Sequence, residues 1–367
     1  MQNHNNKNII ISGGGTGGHI FPAISIANAL KKIDSEINIL FVGAKGKIEM
    51  EKVPEAGYEI IGLPIAGFQR KLSYKNIILL FKLLKSLYIS KRIIKKFKPN
   101  VVVGVGGYAS APVLFSANGM KIPTLIQEQN SYAGVTNKIL ARKAAKICVA
   151  YENMNKYFPN EKIVFTGNPV RQDLLNFISD KNKARDYFNL DKDKKVILIL
   201  GGSLGARTIN NSVIAKIKTL CDEDIQIIWQ TGKNYYTDAV NSVKNIENKN
   251  IHIYDFIKRM DLAYASADII ISRAGAGTIS ELSLVGKPVI LVPSPNVAED
   301  HQTKNAMALV KNNAAILVKD KDADEKLINL VLELKSNEEK INNLAQNINK
   351  MAMPESAKII ANEILKL

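Results

Sequence analysis

Cysteine is nearly absent from this chain: Cys148 and Cys221 are the only two in 367 residues. Their spacing matches neither a metal site nor a secreted disulfide scaffold, so they read as small apolar residues in a reducing compartment. An export signal is not expected either. The polar, Asn-rich stretch Met1 to Lys7 is followed by the apolar run Ile9–Ile11, far too short for a signal-peptide core. Acidic residues are in deficit, 34 against 50 Lys and Arg, for a net charge of +16. That imbalance admits nucleic acid, anionic lipid or a phosphate-bearing substrate as partner, or simply a basic solvated surface. No G-x-x-x-x-G-K-[ST] occurs, so a P-loop nucleotidase is not indicated.

With 46% apolar and 23% charged residues in alternating segments, the chain reads as ordered and globular, and its length suits about two domains. Four segments repeat one order of residues: a short β-branched run, a Gly-rich turn, then a helix-compatible stretch. They are NIIISGGGTGG (8–18), NVVVGVGG (100–107), VILILGGSLG (196–205) and IIISRAGAG (269–277). Short, wholly apolar runs bounded by glycine predict buried parallel strands joined by helical crossovers, hence doubly wound α/β twice over. A seam is expected at TGNPVR (166–171), giving domains 1–168 and 169–354 with a closing helix at 355–367. Ile359, Ile360, Ile364 and Leu365 share one face of that helix, but its packing partner is not legible.

Glycine loops opening onto a helix N-terminus present unsatisfied N–H groups and a favourable dipole to anions, and diphosphates are the expected guests. Gly13, Gly15 and Gly18 satisfy G-x-G-x-x-G, yet the second strand ends in Gly43-Ala44-Lys45 without the acidic residue that holds the ribose of a nicotinamide dinucleotide. His19, in the first turn after this loop, is either structural or a neutral ring able to accept a proton, since a helix N-terminus disfavours imidazolium. TISE (278–281) reads as a capping box, DHQTKN (300–305) as a polar helix start, and QEQN (127–130) as the carboxyl end of a strand.

Between Arg70 and Lys98 there are ten Lys or Arg and no Asp or Glu, interleaved with apolar residues that include Leu80, Phe81 and Leu84 beside Lys82 and Lys85. The charges break this stretch too often for a transmembrane helix. An apolar face with a basic rim suits an anionic membrane surface, the alternative being a buried helix with a solvated basic side. No nucleic-acid module accompanies the charge, so nucleic acid is not expected.

Taken in order, GGGTGGH, GGYAS (106–110), GNPVR (167–171), GGSLGAR (201–207), RAGAGTISE (273–281) and DHQTKN resemble the bacterial MurG family over nearly the whole chain. The resemblance implies a GT-B fold, two Rossmann-like domains facing each other across a cleft. It implies an inverting transfer of N-acetylglucosamine from UDP-N-acetylglucosamine to the 4-hydroxyl of the muramyl sugar of lipid I, giving lipid II for peptidoglycan, at the cytoplasmic face of the membrane. By the same resemblance Thr16, Gly17, Gly18, Asn130, Arg171 and Ser203 contact the donor sugar or diphosphate. Ile257 and Ala276, Gly277, Thr278, Ile279, Ser280 and Glu281 hold uridine and ribose, Gln302 meets sugar hydroxyls, and Gly106, Gly107 and Tyr108 lie near the acceptor diphosphate. His19 is the candidate base, with Glu128 as another. No cofactor or metal is required. The Asp-x-Asp pairs at 191/193, 222/224 and 320/322 read as solvated turns remote from the glycine edges. Leu204 stands where some relatives carry Gln. Alternatives are a same-fold transferase with another lipid acceptor, a UDP-sugar epimerase, an NAD-dependent oxidoreductase and a non-catalytic nucleic-acid binder.

Overall fold

The structure, a computed structural model, describes residues 7–65, 75–171, 174, 180–202, 205–246 and 250–367. The chain forms two compact units, one of Met1–Arg171 with Met353–Leu367, the other of Gln172–Ala352.

In the first unit the order is β1 (Asn8–Ser12), α1 (Gly17–Ile33), β2 (Asn38–Ala44), α2 (Glu49–Glu55), β3 (Glu59–Leu63), α3 (Lys75–Phe97), β4 (Val101–Gly104), α4 (Ser110–Gly119), β5 (Thr124–Glu128), α5 (Val135–Ala141), β6 (Lys146–Val149) and β7 (Ile163–Phe165). The strands make one sheet in the order β3-β2-β1-β4-β5-β6-β7, every pair parallel. Helices cover both faces, which is why Ile9, Ile10 and Ile11 can be apolar in succession and all fully buried.

The second unit runs α6 (Lys181–Tyr187), β8 (Lys195–Leu200), α7 (Arg207–Ala215), α8 (Ile217–Cys221), β9 (Ile225–Gln230), α9 (Tyr236–Val243), β10 (Ile251–Tyr254), α10 (Met260–Ser266), β11 (Ile269–Ser272), α11 (Ala276–Val285), β12 (Val289–Leu291), α12 (His301–Val310), β13 (Ile316–Leu317), α13 (Ala323–Lys335) and α14 (Glu338–Asn349). Its sheet, β10-β9-β8-β11-β12-β13, is again wholly parallel. Both units are Rossmann-like, and two of them in one chain give the GT-B fold class.

In each sheet the strand order reverses beside the first strand, between β1 and β4 and between β8 and β11. These four central strands are the ones that carry the four glycine motifs, so each sheet has a pair of glycine turns at the switch point where open α/β sheets bind ligands.

The last helix, α15 (Ser356–Leu365), returns to the first unit. It lies on α1, where Ala357, Ile360, Ala361 and Ile364 join the cluster of Ile20, Ile26 and Leu30. Gly167 is held at φ +72°, and a Cβ there would come within 2.5 Å of Met353 Cβ, so only glycine admits this close crossing.

Candidate active site

At the first switch point the turns after β1 and β4 interlock. Gly14 N–H donates to Gly106 O at 3.3 Å. A Cβ on Gly13 would lie 2.6 Å from Gly106 O, and one on Gly107 only 2.2 Å from Gly14 O, so the two backbones touch where side chains cannot exist. His19, half-buried in the first turn of α1, has Nδ1 3.0 Å from Thr16 Oγ1. Its Cδ2–Nε2 edge lies over Gly106, 2.8 to 2.9 Å from where a Cβ would be. Thr16 and Gly18 are exposed at the same end, and Tyr108 is 51% exposed beside them in the β4 turn.

Beneath this loop is a carboxylate that sequence reasoning missed. Glu49, the first residue of α2, is fully buried, accepting from Gly15 N–H at 2.8 Å and from Ala44 N–H at 2.9 Å. It fits because Gly14, at φ +135°, and Gly43 leave room: a Cβ on either would lie 2.3 or 2.5 Å from the glutamate. Glu49 therefore takes a loop donor for the fold, and the amides of residues 16–18 are those that a helix start leaves without an intrahelical partner. The signal was in the sequence, an acidic residue five positions beyond the end of the second strand.

QEQN divides by strand alternation. Gln127 and Gln129 are buried in one chain of bonds: Gln129 Nε2 donates to Val105 O at 2.6 Å and to Gln127 Oε1, Gln127 Nε2 to Asn168 Oδ1 at 2.9 Å, and Asn168 Nδ2 to Gln129 O at 3.0 Å. Glu128, only 2% exposed, accepts from Asn130 N–H and Nδ2, from Gly134 N–H and from Asn137 Nδ2 at 2.9 to 3.3 Å. Burial pushes its pKa up, and those four hydrogen bonds oppose the shift. Its carboxylate thus anchors the 129–134 loop and the start of α5. Asn130 is bound into the same loop, and Arg171, half-buried, closes the first unit.

At the second switch point α11 begins without a side-chain cap. Gly275 is the N-cap, so Thr278 and Glu281 lie inside the helix and form no capping box, correcting the reading of TISE. The amides of Ala276, Gly277 and Thr278 are those a helix start leaves unpaired, and the space a Cβ on Gly277 would fill is empty to 4 Å. Ile279 is buried and Ser280 Oγ bonds back to Ala276 O at 3.1 Å. Glu281 Oε2 accepts from Tyr264 Oη at 3.1 Å. Ile257, 4% exposed, donates its N–H to Gln230 Oε1 at 2.9 Å, and Gln302 Oε1 accepts from Ser294 N–H at 2.8 Å. DHQTKN forms the start of α12, but its Asn305 is fully buried and bonds to Ala274 O. Ser203 and Leu204 lie outside the described residues.

One Asp-x-Asp pair is not remote. Asp320 pairs with Arg273 of the RAGAGTISE segment and accepts from Thr208 Oγ1 at 2.8 Å. The solvated-turn reading fails there because the parallel crossovers bring the end of β13 to the same sheet edge as the ends of β8 and β11.

On α3, Leu80, Phe81, Leu84 and Tyr88 are 55 to 68% exposed, with Lys82 and Lys85 exposed among them, whereas Ile93 and Ile94 are buried. Among the described residues no helix is long and apolar enough to cross a membrane.

Residues 9–149 match the glycosyltransferase family 28 N-terminal domain and residues 196–360 the glycosyltransferase family 28 C-terminal domain. The chain is 59% identical over 361 residues to the UDP-N-acetylglucosamine–N-acetylmuramyl-(pentapeptide) pyrophosphoryl-undecaprenol N-acetylglucosamine transferase of Bacteroides thetaiotaomicron, covering 98% of this chain and 97% of that one. It is 55% identical to the transferase of the same name from Flavobacterium psychrophilum, over 98% and 97% of the two chains. The crystal structure of Acinetobacter baumannii MurG is similar at a TM-score of 0.80 and 29% identity, covering 98% of this chain and 100% of that one. A Neisseria meningitidis UDP-GlcNAc 2-epimerase, at TM-score 0.69 and 18% identity over 98% and 100% of the chains, shares the fold alone. By full-length identity, by both domain matches and by structure, the chain belongs to the MurG family within glycosyltransferase family 28.

Proposed function

We propose that this protein transfers N-acetylglucosamine from UDP-N-acetylglucosamine to the 4-hydroxyl of the muramyl residue of lipid I, giving lipid II for peptidoglycan, with inversion at the anomeric carbon. The observation that carries the reading is the 59% identity, over nearly full length, to a transferase named for that reaction. Two sheets with paired glycine turns at their switch points support it physically.

On this reading the second unit takes the donor and the first the acceptor. The N-terminus of α11 receives the UDP moiety, its amides and dipole favouring the anion, with Glu281 toward the ribose and Ile257 toward the uracil. Gln302, its carboxamide oxygen engaged by Ser294, uses its amide NH2 on sugar hydroxyls. Thr16, Gly17, Gly18, Asn130, Arg171 and Ser203 complete the donor contacts. Gly106, Gly107 and Tyr108 serve the acceptor diphosphate.

In the reaction the muramyl oxygen bonds to the anomeric carbon as the bond to the β-phosphate oxygen breaks, its electron pair leaving with UDP. The proton of the attacking hydroxyl goes to His19, whose ring stands over the glycine turn that would hold the acceptor, while helix-start amides and Arg171 stabilise the departing charge. Glu128 keeps the 129–134 loop of the first unit in place. The exposed apolar and basic residues of α3, Leu80, Phe81, Lys82, Leu84 and Lys85, hold the protein peripherally on the anionic cytoplasmic face of the membrane, where a lipid-linked acceptor is found. Nucleic acid is no partner.

The test is incubation with radiolabelled UDP-N-acetylglucosamine and a lipid I analogue. Label is expected in the lipid product, and label that remains in the nucleotide sugar refutes the assignment.

A further inference from the structure

We propose that Asp320 is a positioning residue that fixes the starts of α7 and α11 relative to one another, and that donor affinity depends on it. The inference rests on the second unit being the UDP-sugar unit.

Asp320 opens a short 3-10 turn, Asp320–Asp322, just beyond β13. Its Oδ1 receives Arg273 Nη1 and its Oδ2 receives Thr208 Oγ1 at 2.8 Å. Arg273 directly follows β11 and leads into α11, and the same Nη1 donates to Val292 O at 2.9 Å and Pro293 O at 3.2 Å, beyond the end of β12. Thr208 sits in the first turn of α7, after the β8 glycine turn. One helical turn on, Ser212 Oγ donates to Asp324 Oδ1 at 2.6 Å, a second tie between the same two segments. One carboxylate thus joins the carboxyl-end segments of β8, β11, β12 and β13, four neighbours in the sheet.

Those segments are loops and helix starts beyond the strand ends, and binding geometry must be held to a fraction of an ångström. The last backbone bonds of the ladder run from Val292 N–H to Ser272 O and from Val318 N–H to Leu291 O, and the side-chain links continue beyond them. Arg273 and Asp320 are about four-fifths buried, so their pair is shielded enough to have a defined geometry. With Asp320 removed, Arg273 keeps its two carbonyls but loses its link to α7, and the start of α11 is no longer registered against the start of α7. The arrangement also commits Nη1 of Arg273 to holding the loop, although a cation between two glycine turns would by itself suggest phosphate binding.

The experiment measures UDP affinity by titration calorimetry, KM for UDP-N-acetylglucosamine and for a lipid I analogue, and thermal unfolding. The proteins are the full chain as wild type, Asp320→Asn, Asp320→Glu, Thr208→Val and the double variant Asp320→Asn with Thr208→Val. Asp320→Asn is expected to weaken UDP and raise donor KM by about tenfold, the scale of losing an outer partner of a binding group. Acceptor KM stays as in wild type, Asp320→Glu recovers most of the affinity, and the double variant is no weaker than Asp320→Asn because both substitutions cut one connection. Unchanged UDP affinity with lowered unfolding temperature makes the residue merely structural and overturns the proposal, as does strict additivity of the two losses. Should Asp320→Asn not fold, Thr208→Val alone decides, since it deletes a single hydroxyl: wild-type UDP affinity in that variant overturns the proposal. Wild-type protein that binds no UDP overturns the functional reading itself, and this inference with it.

Discussion

Replacing Glu49 by glutamine keeps its shape and removes one acceptor from a place that offers only donors. The carboxylate sits fully buried between Gly15 N–H and Ala44 N–H, at 2.8 and 2.9 Å. Glutamine satisfies one of them with its oxygen and turns an NH2 toward the other. A hydrogen bond to a charged group contributes about 1.5–3 kcal/mol, and a stranded buried N–H costs about 1–3 kcal/mol. Relief from burying a charge offsets part of this, leaving a net loss of roughly 2–4 kcal/mol. For a unit of this size that is a fall of roughly 5–15 °C in melting temperature. Because Gly15 lies within the loop that aims the amides of residues 16–18, kcat/KM is expected to fall by about tenfold at temperatures where the variant is still folded. Scanning calorimetry of wild type, Glu49→Gln and Gly14→Ala checks both sides of the notch. The Gly14 substitution places a Cβ 2.3 Å from the Glu49 carboxyl at a φ of +135° and should be at least as damaging. A Glu49→Gln protein melting within about a degree of wild type would refute the reasoning.

Three further outcomes are expected. His19→Ala should retain UDP binding while turnover falls by roughly a hundredfold, the lower range for loss of a general base, and donor affinity lost in proportion to rate would make His19 a binding residue instead. Changing Leu80, Phe81 and Leu84 to Ser should weaken binding to phosphatidylglycerol-containing vesicles by more than about tenfold, since three exposed apolar side chains then leave the interface; unchanged co-sedimentation contradicts this. His252, whose Nε2 is buried without a partner, has its pKa lowered from 6.5 by burial. The unfolded chain therefore binds the proton first, so the stability this group contributes is present above its unfolded pKa and is lost as pH falls through the folded one. Denaturant midpoints at about pH 7.5 and about pH 5.5 should drop more for wild type than for His252→Phe, and equal drops would contradict the sign.

What was legible in the sequence was local. The four glycine motifs lie directly after the strands that feed them, so pattern alone predicted the glycine turns and the two doubly wound sheets, while the strand order shows that the turns fall at the switch points. What escaped was decided by other forces. TISE looks like a helix start, but the chain is already helical from Ala276 because Gly275 serves as the cap. QEQN reads in sequence only as the carboxyl end of a strand with Glu128 as a candidate base, and it is the strand's alternation that sends the acid to one side and both amides to the other. Asp320 lies 47 residues from Arg273 and 112 from Thr208, a meeting that only the crossover topology arranges. Glu49 stands five residues beyond the strand end, where no ribose-binding acid is expected, and it turns inward to the backbone. The packing of α15 on α1 depends on which apolar face is left uncovered, and no short-range pattern reports that.

A crystal structure with UDP-N-acetylglucosamine tests the central claim most directly. We expect the diphosphate at the start of α11, within hydrogen-bonding distance of the amides of Ala276, Gly277 or Thr278, with the ribose near Glu281. A nucleotide seated away from that helix, or held by the Gly13–Gly18 turn alone, would contradict the assignment of the second sheet to the donor.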